Sequence, residues 1–371
     1  MFNLSLHNWR CFTSQKFQIP TRSFILIDEN GSGKTSLLSA VYTLFCKKPW
    51  PGTKFADHLL SGSGYFGITT DYPDFSFTGQ INPSGRLSTK YEKPTGEVSF
   101  NQILTKQNWP KILTYLPSDN YWLGQSRTSK LGILDNLLSQ TSEDDFDAAL
   151  SNLDKVLKSK QRLLKHCQET ETAADPILVQ TLSQEILKSS VLVWQYRQKF
   201  WILLNKSLPE FCTWINSNLK DWILKWELTD VYGQRQKVDI EDMDFAQILN
   251  QNHDWAKLWH KETIVGKLLF GAQRDDFSIE CNHLRVENVL SRGEMRLLVL
   301  FIKNLASQNI LEKKEHQLWW FLDDIYNELD DKREEIMFSR IIQKADFSIS
   351  TSTKKPDFES LVVGLEDLVY L

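Results

Sequence analysis

Apolar and polar positions alternate from Phe2 to Leu6, and a solid apolar run fills most of the stretch from Ser23 to Ile27. Alternation predicts a half-buried strand, and an unbroken run predicts one buried on both faces. A glycine-rich loop follows, and apolar positions at helical spacing then predict a helix from Lys34 to about Phe45. Residues 50–115 are rich in Gly, Pro, Thr, Ser and aromatics, with short alternating runs such as Tyr65 to Thr69, and read as antiparallel sheet. From about Thr128 to Ser207 the period becomes helical, and Gly/Pro punctuation nearly vanishes apart from Gly132 and Pro176. A helical hairpin over this stretch would have arms of about 35 residues, roughly 50 Å. Strand character returns at Trp222–Leu228 and Gln234–Ile240, with a hairpin at Phe277–Glu280 and Leu284–Val286. A helix-like run from Leu297 to Ala306 and strands at Leu318–Leu322 and Phe347–Thr353 complete the chain. The expected class is α/β. Its head is split into residues 1–127 and 216–371, carries a mixed or antiparallel β lobe, and is interrupted by a helical arm at 128–215.

At 371 residues the chain exceeds one ordinary domain, which agrees with a head plus an insertion. Its 41% apolar and 24% charged residues exclude a disordered or fibrous protein. A formal charge of −4 excludes a general basic coat, so any nucleic-acid surface has to be a local patch. The five cysteines lie far apart with no C-x-x-C pair, which points to neither a zinc site nor a disulfide framework and fits a reducing, cytoplasmic interior. The first strand meets Arg10 before any core of signal-peptide length, and Leu297–Ile302 is closed by Lys303, far short of a membrane span. A soluble protein with no membrane contact is expected.

The sharpest motif is Asp28-Glu29-Asn30-Gly31-Ser32-Gly33-Lys34-Thr35-Ser36, set between the strand ending at Ile27 and the helix beginning at Lys34. Small residues from Asn30 to Gly33 let backbone N–H groups wrap phosphate oxygens, and the following helix aims its amino terminus at the anion. ATP is the expected ligand. Lys34 would reach its β- and γ-phosphates, and the Thr35 hydroxyl would bind Mg²⁺; the bland alternative is a solvated glycine turn. Asp28 stands where the strict G-x-x-x-x-G-K-T pattern has its first glycine, and a carboxylate there would repel a triphosphate unless turned away or hydrogen-bonded. The second half of the site is Leu318-Trp319-Trp320-Phe321-Leu322-Asp323-Asp324, a buried-strand run ending in two carboxylates. Asp323 would hold Mg²⁺, and Asp324 would orient or deprotonate the attacking water. Taken alone, paired aspartates at a strand end are as often structural.

Shortly before this strand, Ser291-Arg292-Gly293-Glu294 resembles the S-x-G-x signature of ABC ATPases, which touches the γ-phosphate bound by the opposite subunit. A simple helix N-cap at Ser291 is the competing reading. Four further stretches resemble boxes of the bacterial RecF family. Leu6-His7-Asn8-Trp9-Arg10-Cys11-Phe12 is similar to its N-F-R-N-Y start, where the arginine lies near the nucleotide. Ile133-Leu134-Asp135-Asn136-Leu137-Leu138-Ser139-Gln140 resembles F-L-D-x-x-L-x-Q. Gly271-Ala272-Gln273-Arg274-Asp275-Asp276 resembles G-P-H-R-D-D, and Leu322 to Asp330 resembles L-D-D-x-x-S-E-L-D with its D-loop. Order and spacing agree from residue 1 to about 353. The chain departs from the family at Asp28, Ala272-Gln273, Glu294 in place of the common Gln, and Asn327. Asp324 is also one methylene shorter than the glutamate usual in ABC ATPases, which suggests slow turnover. No switch histidine follows the last strand, where Thr351 or Ser352 could reach the γ-phosphate or simply be solvated.

The resemblance implies a weak, DNA-stimulated ATPase of DNA recombination and repair that closes on double-stranded or gapped DNA as an ATP-bound homodimer. RecR, with RecO and RecA, would be its partners in loading recombinase at gaps. On a helix from about Asp144 to Cys167, Lys155, Lys158, Arg162 and Lys165 recur every three or four residues and form a candidate phosphate-tracking face, or a plain solvated one. The 13 tryptophans sit mostly in apolar runs, so core packing explains them better than base stacking. SMC-type tethers need far longer coiled coils, and an ABC transporter ATPase would lack the insertion. Two other readings stand beside the first: a nucleotide-gated DNA clamp with negligible hydrolysis, and another SMC-like defence ATPase sharing only the head.

Overall fold

The computed structural model describes residues 1–72, 75–81, 87–93, 96–98, 110–141, 145–215, 218–230, 233–313, 316–326, 329–355 and 360–369. The chain forms two compact units, one of Met1–Asp119 with Ser307–Leu371 and one of Asn120–Ala306.

In the first unit, β1 (Phe2–Trp9) pairs antiparallel with β2 (Phe12–Ile19). That sheet continues through β4 (Gly67–Tyr72), β5 (Phe75–Ile81), β6 (Leu87–Lys93) and β7 (Gly96–Val98), in the order β2-β1-β4-β5-β6-β7. A second sheet is entirely parallel: β15 (Val362–Gly364), β3 (Phe24–Ile27), β14 (Phe347–Ser352), β13 (Leu318–Leu322) and β8 (Lys111–Tyr115), in that order. Residues 111–115, expected to be antiparallel with their neighbours, belong here instead. Their apolar residues are buried on both faces, as a parallel sheet requires. Helix α1 (Lys34–Cys46) shares one core with both sheets: Leu37, Leu38, Val41 and Phe45 pack with Phe2, Leu4 and Leu6 of β1 and with Trp319 and Phe321 of β13.

The second unit is larger than the helical stretch 128–215. It holds α2 (Arg127–Thr141), α3 (Asp145–Thr170) and α4 (Pro176–Ile215), followed by a four-stranded sheet of order β10-β9-β11-β12. The sheet strands are β9 (Ile223–Thr229), β10 (Arg235–Val238), β11 (Asp276–Cys281) and β12 (Leu284–Arg285). Two short helices, α5 (Phe245–Asn250) and α6 (Trp255–Val265), join β10 to β11. Aromatic packing explains the larger unit, since Trp201 of α4 lies 4.7 Å, centroid to centroid, from Phe277 of β11. Helix α4 runs 40 residues, about 60 Å, with Pro209 inside it. Buried positions on α3 recur as Phe146, Ala149, Leu153, Lys160, Leu164 and Cys167, all on one face. Lys160 takes a core position there because Glu262 of α6 meets its ammonium at 2.7 Å, both side chains being 1% exposed. Helix α7 (Arg292–Lys313) leads back into the first unit, where α8 (Asp331–Arg340) and α9 (Leu365–Leu368) complete the fold.

Two of the family-like boxes meet at one buried cation. Arg197 of α4 donates to Asp135 of α2 at 2.8 and 3.0 Å, to Asp275 at 2.6 Å and to the Ala272 carbonyl at 2.7 Å. Trp194 adds an indole N–H to Asp275 at 2.9 Å. Two carboxyls thus share one guanidinium, and burial lifts the Asp275 carboxyl to about 7 against the pull of Arg197 and Trp194. Removing the cation leaves both acids unpaired, so Arg197→Met is expected to cost about 3–5 kcal/mol in urea unfolding. Asp275 takes up a proton in the native state that the unfolded chain does not hold, so its contribution is full below about pH 4 and is lost as pH rises through about 7. Asp275→Asn should therefore flatten the fall in unfolding midpoint that is expected of the unaltered chain between about pH 5 and about pH 8; an unchanged fall would show that Asp275 stays ionised.

Candidate nucleotide site

The parallel sheet aligns three strand ends along one edge. Ser352 of β14 lies opposite Ile27 of β3, and Leu322 of β13 lies opposite Ser350. The loop after β3, the carboxylates after β13 and the hydroxyls ending β14 therefore converge at the carboxyl edge, where open α/β sheets bind ligands.

The glycine-rich loop owes its path to Gly31 (φ 82°) and Gly33 (φ 112°), both in the left-handed region open to glycine. Gly33 is also the N-cap of α1, and a Cβ there would stand 2.7 Å from the Phe12 ring. Lys34 is 6% exposed, and its ammonium donates to the carbonyls of Asp28 at 2.7 Å and Glu29 at 2.6 Å, cinching the loop. Asp28 does not adopt a positive φ, so its backbone has no need of glycine, and its carboxylate accepts the Glu29 N–H at 2.7 Å. The charge expected to repel a triphosphate is thus partly compensated by the loop's own backbone. Asn30 is exposed. Ser36 is held from β1 and the turn after it, its carbonyl accepting the Trp9 indole at 2.9 Å and its hydroxyl accepting the Cys11 thiol at 3.4 Å.

Thr35 donates its hydroxyl to Asp323, 2.9 and 3.1 Å from the two carboxylate oxygens. Thr351 donates to the same carboxylate at 2.8 Å and accepts the Asp324 N–H at 2.9 Å. Neither Thr351 nor Ser352 is solvated: both are fully buried, Thr351 braces the paired aspartates, and Ser352 donates to the Lys354 carbonyl at 2.7 Å. Burial raises the Asp323 pKa, the two threonine hydroxyls pull it back, and Asp324 pushes it up again. Asp324 itself sits at φ 51°, a left-handed conformation that aspartate tolerates better than most residues. That backbone supplies a local reason for aspartate where a longer acid is usual. The D-loop residues Asn327 and Glu328 lie outside the described residues; beyond them, Lys354 donates to the Leu329 carbonyl at 3.3 Å and pairs with Glu334.

Arg10 occupies the two-residue turn between β1 and β2 at φ 49°. Burial weakens its hold on its proton, and Asp323 is the largest charge working the other way. Sequence reading missed its partner His58, which lies in a Gly/Pro-rich stretch with no motif around it. Arg10 Nε donates to His58 Nδ1 at 3.0 Å.

In the second unit, Ser291 begins α7 as half of a capping box. Its hydroxyl donates to Glu294 at 2.7 Å, its N–H donates to the same carboxylate oxygen at 2.8 Å, and the Glu294 N–H returns to Ser291 Oγ at 3.3 Å. Gly293 is buried beside it. The N-cap reading of Ser291 is therefore realised in this structure. Lys155, Lys158, Arg162 and Lys165 are all exposed on α3, with Lys158 meeting Asp154 at 2.5 Å and Lys165 meeting Glu169 at 3.5 Å. These exposed pairs neutralise part of the stripe.

A hydroxyl and a carboxylate within hydrogen-bonding distance at Thr35 and Asp323 form the small, hard-oxygen donor set suited to Mg²⁺, which keeps several waters and takes only one or two protein ligands. Residues 1–55 match the family model for the P-loop containing region of an AAA domain. The chain is 24% identical to the DNA replication and repair protein RecF of Ruminiclostridium cellulolyticum, over 97% of this chain and 94% of that one. It is 23% identical to RecF of Cytophaga hutchinsonii, over 96% and 90%. Among solved structures, that of the recombination mediator protein RecF with ATP superposes with a TM-score of 0.77 at 20% identity, covering 99% of this chain and 96% of that one. Over nearly its whole length the chain is thus similar in sequence and in fold to RecF proteins, and its first 55 residues match a P-loop model.

Proposed function

We propose that the chain binds ATP with Mg²⁺ and closes on DNA as an ATP-bound homodimer in recombinational repair, hydrolysing ATP weakly and faster when DNA is bound. The observation that carries this reading is the bracket of Thr35, Asp323 and Thr351 at the sheet edge beside the glycine loop. Loop N–H groups and the α1 amino terminus receive the phosphates, and Lys34 exchanges its two carbonyl partners for phosphate oxygens. Thr35 and Asp323 hold Mg²⁺, which when bound neutralises charge on the phosphate oxygens. Arg10 offers its guanidinium from the β1–β2 turn. Asp324, fixed through its N–H by Thr351, orients the attacking water and accepts its proton at the carboxylate. Ser291 and Gly293 serve the site of a second copy, as in the ABC arrangement, so that ATP joins two chains. RecR, with RecO and RecA, are the partners that the resemblance implies. Among the described residues no helix is long and apolar enough to cross a membrane.

The direct test is ATP hydrolysis with and without duplex DNA, where several-fold stimulation is expected. Replacing Lys155, Lys158, Arg162 and Lys165 together by Gln should weaken DNA binding for all sequences and reduce the slope of log affinity against log salt by up to about 4. An unchanged slope would move the DNA surface elsewhere on the chain.

Glu294 holds the Ser291 hydroxyl that the partner's γ-phosphate would claim, and it brings a negative charge to the same helix terminus. Glu294→Gln should strengthen ATP-dependent dimerisation about three- to tenfold, read by sedimentation velocity, because the phosphate no longer meets a carboxylate. Weaker dimerisation would assign Glu294 a supporting contact.

A further inference from the structure

We infer that His58 is the positioning residue for Arg10, holding its guanidinium at the nucleotide site through a neutral imidazole; this rests on the reading that Arg10 meets the nucleotide. A long side chain on a two-residue turn has little to hold it. Here the Arg10 N–H donates to the His58 carbonyl at 2.8 Å, its Nε donates to His58 Nδ1 at 3.0 Å, and next to it Leu60 N–H donates to Asn8 O at 2.9 Å. Backbone and side chain of Arg10 are therefore fixed by the same residue. His58 is itself immobilised: fully buried, its ring lies 4.7 Å from that of Trp9 at an interplanar angle of 4°. Trp9 in turn bonds Ser36 in the first turn of α1.

The charge-assisted bond from Arg10 selects the tautomer. A guanidinium can only donate, so Nδ1 must present its lone pair. Thr53 gives its hydroxyl proton to the Trp50 carbonyl at 2.6 Å, which leaves its oxygen to accept from His58 Nε2 at 3.0 Å. The Trp50 N–H also donates toward Nε2 at 3.2 Å, so both ring nitrogens face a donor, and the lone pair goes to the shorter, charge-assisted bond from Arg10 at 3.0 Å. A second proton on the ring would oppose a cation. Burial and Arg10 accordingly depress the His58 pKa to about 4, with Asp57 pulling the other way.

Neutrality has a functional consequence. A carboxylate at this position would grip Arg10 more tightly but would add negative charge beside a triphosphate. The imidazole fixes Nε without cancelling the cation, and the two Nη groups make no hydrogen bond among the described residues.

The test is titration of a fluorescent ATP analogue, with kcat and KM for ATP, on Arg10→Ala, His58→Ala, the double variant and His58→Asn, with a melting curve for each. His58→Ala should raise Kd about tenfold, close to the effect of Arg10→Ala, through loss of one charge-assisted hydrogen bond. On the Arg10→Ala background the same change should alter Kd by less than about twofold. His58→Asn, whose amide oxygen can take the Nδ1 position, should return Kd to within about threefold of the unaltered chain. Losses that multiply independently in the double variant, or a His58→Ala chain that binds normally while Arg10→Ala does not, would overturn the positioning role and leave the Arg10 reading intact. Normal binding by Arg10→Ala would overturn both.

Discussion

The bond from the Thr35 hydroxyl to Asp323 joins residues 288 positions apart, and the rest of the nucleotide site is arranged around it. It forms only because β3, β14 and β13 lie parallel and in a register that brings Ile27, Ser352 and Leu322 to the same edge. A slip of one residue in any of these strands would turn its side chains to the opposite face and separate the loop from the carboxylates. The strands are buried along their length, so packing of Trp319, Phe321, Phe347 and Ile349 against α1 is what fixes that register. Core and site are thus one mechanical unit, and Thr351 ties them by bonding both aspartates at once.

A second theme is that functional groups already have partners inside the chain. Lys34 bonds two carbonyls, Asp28 a loop N–H, and Ser291 the Glu294 carboxylate. On the proposed function, the Lys34 and Ser291 bonds would be exchanged for bonds to phosphate, so the net gain on binding would be the difference between two similar interactions. On the same proposal, that exchange and the short acid at Asp324 would favour modest affinity and slow turnover over rapid hydrolysis.

Much of this was legible in the sequence, for reasons that differ by region. The glycine loop, α1 and the strand that ends in the paired aspartates were legible because glycine at positive φ, helical periodicity and a doubly buried run each leave a local signal. Strand β2 left none: Phe12 to Ile19 carries polar residues along an outer edge and buries only Phe17 and Ile19. Residues 111–115 were assigned to the wrong sheet because pairing partners two hundred residues away do not mark a short run locally. The boxes around Asp135 and Asp275 were recognisable as patterns, but their meeting at Arg197 depends on tertiary structure alone. His58 is the extreme case, a lone histidine whose importance lies in the nitrogen it turns toward Arg10.

The central claim, that ATP completes a site shared between two chains, is tested most directly by mixing two inactive variants and measuring ATP hydrolysis in the presence of duplex DNA. Lys34→Ala removes the cation of the glycine loop and Ser291→Arg blocks the signature, so each alone should be inactive and fail to dimerise with ATP. A mixed dimer pairs the intact loop of one chain with the intact signature of the other. The account predicts that an equimolar mixture regains up to about half of the unaltered rate, since only mixed pairs form and each carries one competent site of two. A mixture as inactive as its components, or a Ser291→Arg chain that hydrolyses ATP at the unaltered rate, would contradict it.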